Sequence, residues 1–120
     1  MFHRNAVVAV ITLPVLLAGQ PSFIHAGNAD MTAGKRIYFE LCKTCHGLDG
    51  KGPGVMKFNP PAADLTSRQV QAKLDSGLYN SIHEGRANTA MGAWKHALSD
   101  QEIRDVVAYI RTFGQGLSAP

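Results

Sequence analysis

Five consecutive residues, Cys42-Lys43-Thr44-Cys45-His46, constrain this chain more than anything else in it. The pattern is C-x-x-C-H, the spacing of covalent haem attachment. Two thiols on one helical turn can reach the two vinyl groups of a single haem. Each forms a thioether, so the ring cannot leave. His46 follows directly and can turn its imidazole onto the iron, which leaves one axial position to identify. Other uses of C-x-x-C fit less well. A thioredoxin-like redox pair sits at the start of a helix after a strand, and no strand-like run precedes Cys42. A zinc site needs more ligands in a compact cluster, and there is no third Cys. With both thiols committed to haem, no disulfide is expected.

The 120-residue chain is long enough for one small domain, but its first stretch reads differently. Residues 1–5 are a short start carrying Arg4, residues 6–18 are an uncharged apolar run, and a looser segment with Pro21 ends in Ile24-His25-Ala26. That is the layout of a secretory signal peptide. The apolar run, broken by Pro14, is short for a membrane span. Cleavage is expected after Ala26, with Ala29 a near alternative. Residues 1–26 are then a removed signal peptide and residues 27–120 the mature domain, with no membrane span. No Cys follows the apolar run, as a lipoprotein would require. Export agrees with the motif, because covalent haem attachment takes place in exported chains. The expected location is the periplasm.

Residues 27–120 keep 11 of the 12 basic residues and all 9 acidic ones, a formal charge of +2 that two haem propionates bring near neutral. There is no dense basic stripe, which excludes a nucleic-acid binder. A domain this small buries a modest core by itself. A covalently held haem supplies much of the missing apolar surface, as metals and disulfides do elsewhere.

The pattern along the mature domain is all-α, with about four short helices joined by loops. Asp30 or Thr32 caps a first helix, on which Ala33, Ile37 and Leu41 share a face and which runs to about Cys45. Gly34 inside it is weak in propensity and points to a close approach by another element. After His46 comes a loop rich in Gly and Pro, through Pro60-Pro61-Ala62-Ala63-Asp64-Leu65. Its glycines suit passage close to a flat ring, and a carbonyl of the Pro-Pro pair is expected to accept the second ring N–H of His46. Thr66 or Ser67 caps a second helix through Val70 and Leu74, ending near Gly77. A third holds Leu78 and Ile82 and stops at Gly85. Ser99-Asp100-Gln101-Glu102 is a capping box. It opens a helix with Ile103, Val106, Val107 and Ile110 on one face, and Gly114 is suited to its C-cap. Residues 116–120 are expected to form a flexible tail.

The sixth ligand has several candidates: Met31, Met56, Met91, His83 and His96. Met31 precedes the motif helix, Met56 follows His46 closely, and His83 lies in a helical pattern. His96 lies between Trp94 and the last capping box. Met91 sits 45 residues after His46 in an irregular segment, enough chain to go round a ring and return. Core filling is the ordinary use of a Met, and spacing alone leaves the choice open.

Residues 32–113 resemble a small class I bacterial cytochrome c. Gly34 and Tyr38 stand where that family has its N-terminal helix Gly and aromatic residue, and Cys42, Cys45 and His46 match its attachment motif. Gly47-Leu48-Asp49-Gly50-Lys51-Gly52 and residues 60–65 resemble its loop, and residues 82–94 the segment carrying the axial Met. Val106, Tyr109 and Ile110 resemble its C-terminal helix, which crosses the first at the small residue. The resemblance implies a cytochrome c fold wrapped around one covalently bound haem c, with His46/Met91 ligation of the iron. Family members commonly have Pro after the ligand Met; Gly92 stands there in this chain.

The implied function is outer-sphere electron transfer, with no catalytic residues and no enzyme activity. Redox partner proteins are expected as donor and acceptor. Lys43, Lys51, Lys57 and Lys95 are placed to ring the haem edge and steer an acidic partner, or to be ordinary solvated surface. Two other readings stand beside it. One is a dedicated cytochrome subunit of a periplasmic dehydrogenase or reductase. The other is a haem enzyme or gas sensor with an open sixth site.

Overall fold

The computed structural model describes residues 28–115. The expected signal peptide and the tail at 116–120 lie outside them. Among the described residues the elements are all helical, with no strand. No helix there is long and apolar enough to cross a membrane.

The first helix begins where Asp30 accepts from the Thr32 and Ala33 amides, the orphan donors of a helix start. It runs through α1 (Met31–Ile37), a π-helical turn (Tyr38–Cys42) and α2 (Lys43–His46) without leaving the helical region. The π turn carries one extra residue and so shifts the phase of everything after it. Ile37 and Tyr38 are buried, Leu41 is turned outward, and Cys42 packs against the core. The expected Ala33–Ile37–Leu41 face therefore ends at Ile37.

α5 (Asp100–Thr112) opens on the Ser99–Glu102 capping box, with both reciprocal bonds made, and buries Ile103, Val106, Val107 and Ile110. It crosses α1 at Gly34, where an added Cβ would run into the Asp105 carbonyl. The crossing is sealed by aromatic rings. Tyr38 is fully buried, 5.3 Å from the Tyr109 ring and 5.2 Å from Phe113. Its hydroxyl donates to the Gly47 carbonyl at 2.7 Å, the partner a buried phenol needs. The α5 cap falls on Phe113, while Gly114 lies against the Gln71 side chain.

The middle of the chain departs from the expected second helix. α3 (Arg68–Gln71) is a single turn capped by Ser67. Leu74, expected inside it, is 77% exposed and instead occupies the N-cap of α4 (Asp75–His83). The cause lies on α5. Arg111 donates to the Gln71 carbonyl at 2.9 Å, the Lys73 carbonyl at 2.6 Å and the Asp75 carboxylate at 2.8 Å. One guanidinium thus satisfies the carbonyls that a longer α3 would have used within itself. Arg111→Ala leaves them unpaired at a half-buried corner. The expected loss is about 1–3 kcal/mol, read as a lower Tm with the haem spectrum unchanged.

Candidate functional site

The attachment motif closes the first helix. Cys42 ends the π turn, and Cys45 and His46 lie in α2. The turn's extra residue rotates Cys42 to the inner side. Both thiols are free and half-buried. Burial, then the neighbouring Cys45, pushes the Cys42 thiol up to about 11. A redox-exchange pair has its attacking thiol shifted the other way.

His46 donates from Nδ1 to the Ala63 carbonyl at 3.0 Å, because a carbonyl can only accept. That fixes the tautomer and leaves Nε2 as the nitrogen with a lone pair. The expected partner was the Pro-Pro pair; the acceptor lies two residues past Pro61. The reason is the path of the loop. The amides of Gly52, Gly54 and Met56 donate to the His46, Cys45 and Thr44 carbonyls at 2.8, 2.8 and 3.1 Å. The loop thus caps the helix that carries the thiols and returns with Ala63 beside the imidazole. Gly54 is needed for that contact, since a Cβ there would run into the Thr44 carbonyl. Within the protein, Gly52 and Gly54 approach backbone and Gly50 the Phe113 ring.

The other expected ligands separate by environment. Met31 and Met56 are exposed at 50% and 48%, and His96 is exposed. His83 is engaged elsewhere. Its ring stacks on Tyr79 at 5.3 Å, and Nδ1 lies 2.7 Å from the Glu84 carboxylate. Met91 is half-buried and packs against the core, as does Trp94. The segment holding Met91 is tied to α4 by backbone bonds. The Arg86 amide donates to the Met91 carbonyl at 2.9 Å and the Trp94 amide to Ile82 at 3.0 Å. Gly85, at φ +72°, is the seat of that contact. A Cβ on it would come within 2.6–2.8 Å of the Gly92, Met91 and Ala93 backbone. Gly92 itself faces open space.

Of the four lysines expected around the motif, Lys51 and Lys57 are exposed. Lys95 pairs with Glu84 at 2.6 Å, and the Lys43 ammonium sits 5.7 Å from the Phe39 ring centre. Among the described residues no group of three or more His, Cys, Asp or Glu is arranged to hold a bare metal ion.

Paired thiols, an imidazole of fixed tautomer and a half-buried thioether are the donor chemistry of a covalently held haem. Such a set on an all-helical scaffold defines a class of small haem proteins. The chain belongs to the cytochrome c family. The family model described as cytochrome C oxidase, cbb3-type, subunit III matches residues 29–110. Its cofactor is covalently bound haem c.

Relatives fall into two kinds. The cbb3-type cytochrome c oxidase subunit FixP of Bradyrhizobium diazoefficiens is 32% identical over 93% of this chain, which spans only 36% of that protein. Cytochrome c-554(547) of Halothiobacillus neapolitanus is 31% identical over 69% of this chain and 96% of its own length. Among solved structures, the KustC0563 c-type cytochrome superposes with a TM-score of 0.57 at 31% identity. That match covers 67% of this chain and 95% of that one.

Proposed function

We propose that this protein is a monohaem electron carrier of the periplasm, exported by a cleaved N-terminal signal peptide. Cys42 and Cys45 would hold the haem by thioethers, and His46 and Met91 would ligate its iron. The observation that carries the reading is the 3.0 Å bond from His46 Nδ1 to Ala63. It presents Nε2 for coordination, directly after the two thiols. When bound, haem c supplies a one-electron ferric/ferrous couple. The residues around it do the rest. Ala63 holds the imidazole against rotation, which also raises its basicity as a ligand. Gly85 and the Arg86 amide hold the Met91 backbone. A thioether ligand in an apolar setting disfavours the extra charge of the ferric state and raises the potential. With His46 and Met91 both on the iron no substrate would reach it, and no residue is assigned a catalytic role.

The match that spans 96% of a short cytochrome c favours a stand-alone carrier. The match to one segment of a much longer oxidase subunit favours the second reading, a cytochrome subunit docked on a larger redox enzyme. Either way the partners are redox proteins, and exposed Lys51 and Lys57 suit an acidic docking surface.

The deciding experiment is an absorption spectrum of the exported protein, oxidised and reduced, with and without CO. The expected result is a red-region sulfur-to-iron band in the ferric form and no response of the ferrous form to CO. A high-spin ferric form that binds CO on reduction overturns the carrier reading in favour of the enzyme or sensor.

Gly85→Ala tests the support of the Met segment. The positive φ and the nearby backbone leave no room for the methyl group, so the segment must shift. The expected outcome is a weakened sulfur-to-iron band and a lower Tm, from a stability loss of about 1–3 kcal/mol, with the haem still attached. An unchanged band shows that the seat does not position the ligand.

A further inference from the structure

α5 buries a carboxylate, Asp105, at 5% exposure. It lies at the α1–α5 crossing, and none of the described ion pairs includes it. Its Oδ1 accepts from two donors, the Gln101 side-chain amide at 2.8 Å and the backbone nitrogen of Asp30 at 2.8 Å. A buried carboxylate held by neutral donors alone is costly, and a full positive charge offsets that cost better. The Asp30 nitrogen is one peptide bond from Ala29, and Gly27-Asn28-Ala29 presents small residues at the third and first positions before that bond. Small residues at those two positions mark a signal-peptide cleavage site. The bond after Ala26 has Ile24 at the outer position instead.

We infer that the exported protein is processed between Ala29 and Asp30, and that the new terminal ammonium of Asp30 forms an ion pair with Asp105. Hydrolysis of that peptide bond consumes one water. It leaves the carboxylate on Ala29 and the amine on Asp30, which takes up a proton. The nitrogen keeps its place on Oδ1, gains two further N–H donors and becomes charged. A cation at the start of a helix meets the positive end of the helix dipole. Here the Asp30 side chain, which caps Thr32 and Ala33, and Asp105 both oppose that repulsion. The first turn of α1 is thereby fastened to α5 beside the Gly34 crossing.

This inference rests on the export reading of the first residues, and the test separates the two. The exported, haem-loaded protein is analysed by intact mass and N-terminal sequencing. A chain beginning at Asp30 is expected. A chain beginning at Gly27 overturns the inference and leaves export by a cleaved leader intact. An uncleaved chain overturns both.

The ion pair has its own readout, the pH dependence of acylation of the terminal amine. Asp105 and Gln101 of α5 face that amine, with the Asp30 carboxylate. Arg104 of α5 and Asp75 and Tyr79 of α4 line a groove together with Ala29. Two carboxylates against one cation favour the charged amine. Its titration is then expected above the ordinary α-amino range of about 7.7–8.0, with acylation near neutral pH slowed about tenfold per pH unit of displacement. Asp105→Asn is expected to restore the ordinary rate. Comparing folded wild type with its denatured chain gives the same answer if that variant fails to fold. Equal rates in that comparison overturn the ion pair.

Discussion

Gly34→Ala is expected to lower the stability of the haem-loaded protein by ~2 kcal/mol, although Ala is the better helix former. The two effects at that position oppose each other, and their sizes decide the outcome. Propensity favours Ala over Gly in a helix interior by about 1 kcal/mol. Against it stands the crossing of α1 and α5, where the new methyl group would run into the Asp105 carbonyl. Backbone cannot rotate away as a flexible side chain can, so the helices must separate. Separation loosens the contact between the buried faces of Ile37 and Tyr38 on one side and Ile103, Val106 and Ile110 on the other. Forcing extra volume into a packed contact costs about 1–3 kcal/mol, and the upper end applies when backbone is the obstacle. Net of the propensity gain, in a domain of this size that corresponds to a Tm lower by about 8–16 °C. Gly77→Ala supplies the contrast. It lies in α4, and its added Cβ would meet only the Lys73 Cβ at an ordinary 3.8 Å. Propensity then acts alone, and a gain of about 0.5–1 kcal/mol is expected. Thermal unfolding of the two variants side by side checks both signs. A Gly34→Ala protein as stable as wild type would show that the helices do not meet as closely as described.

That Gly was legible in the sequence because its only plausible use inside a helix is close approach. The last helix was legible for a similar reason, since the Ser99–Glu102 box and the spacing of Ile103, Val106, Val107 and Ile110 all point to one start and one buried face. What failed to show depends on backbone geometry or on partners far along the chain. The π turn at 38–42 leaves no mark in a side-chain pattern read at a constant helical period, which puts Leu41 on the face of Ala33 and Ile37 although its side chain is exposed. The break before Leu74 is imposed by Arg111, dozens of residues later, and nothing between Ser67 and Gly77 announces it. The His46 acceptor was placed on the stiff Pro-Pro pair. It falls on Ala63 because the amides of Gly52, Gly54 and Met56 set where the loop returns. The attachment motif is local and therefore readable. A distal ligand is a tertiary matter, and spacing alone leaves Met91 among several candidates, of which it is the one packed against the core.

Met91→Ala is accordingly the variant with the largest expected effect on the haem. The Met91 backbone bonds, from the Arg86 amide and to the Thr89 hydroxyl, do not involve its side chain. Truncation therefore leaves the segment in place and removes the thioether. The protein is expected to export and to keep its haem, because attachment rests on Cys42 and Cys45. Stability falls by about 1–2 kcal/mol, less than the roughly 2–5 kcal/mol for a fully buried Met, because this one is half-buried. The iron loses its sulfur ligand, so the red-region ferric band disappears and the ferrous form binds CO. The reduction potential drops by a measurable part of the roughly 0.8 V that axial ligands span, since the thioether that favoured the ferrous state is gone. These readouts move together only if Met91 is the ligand. A structural Met would lower Tm and leave the band, the CO response and the potential where they were, and the search would then pass to His96. Potentiometry and CO titration of Met91→Ala beside wild type separate a ligand from a piece of core packing.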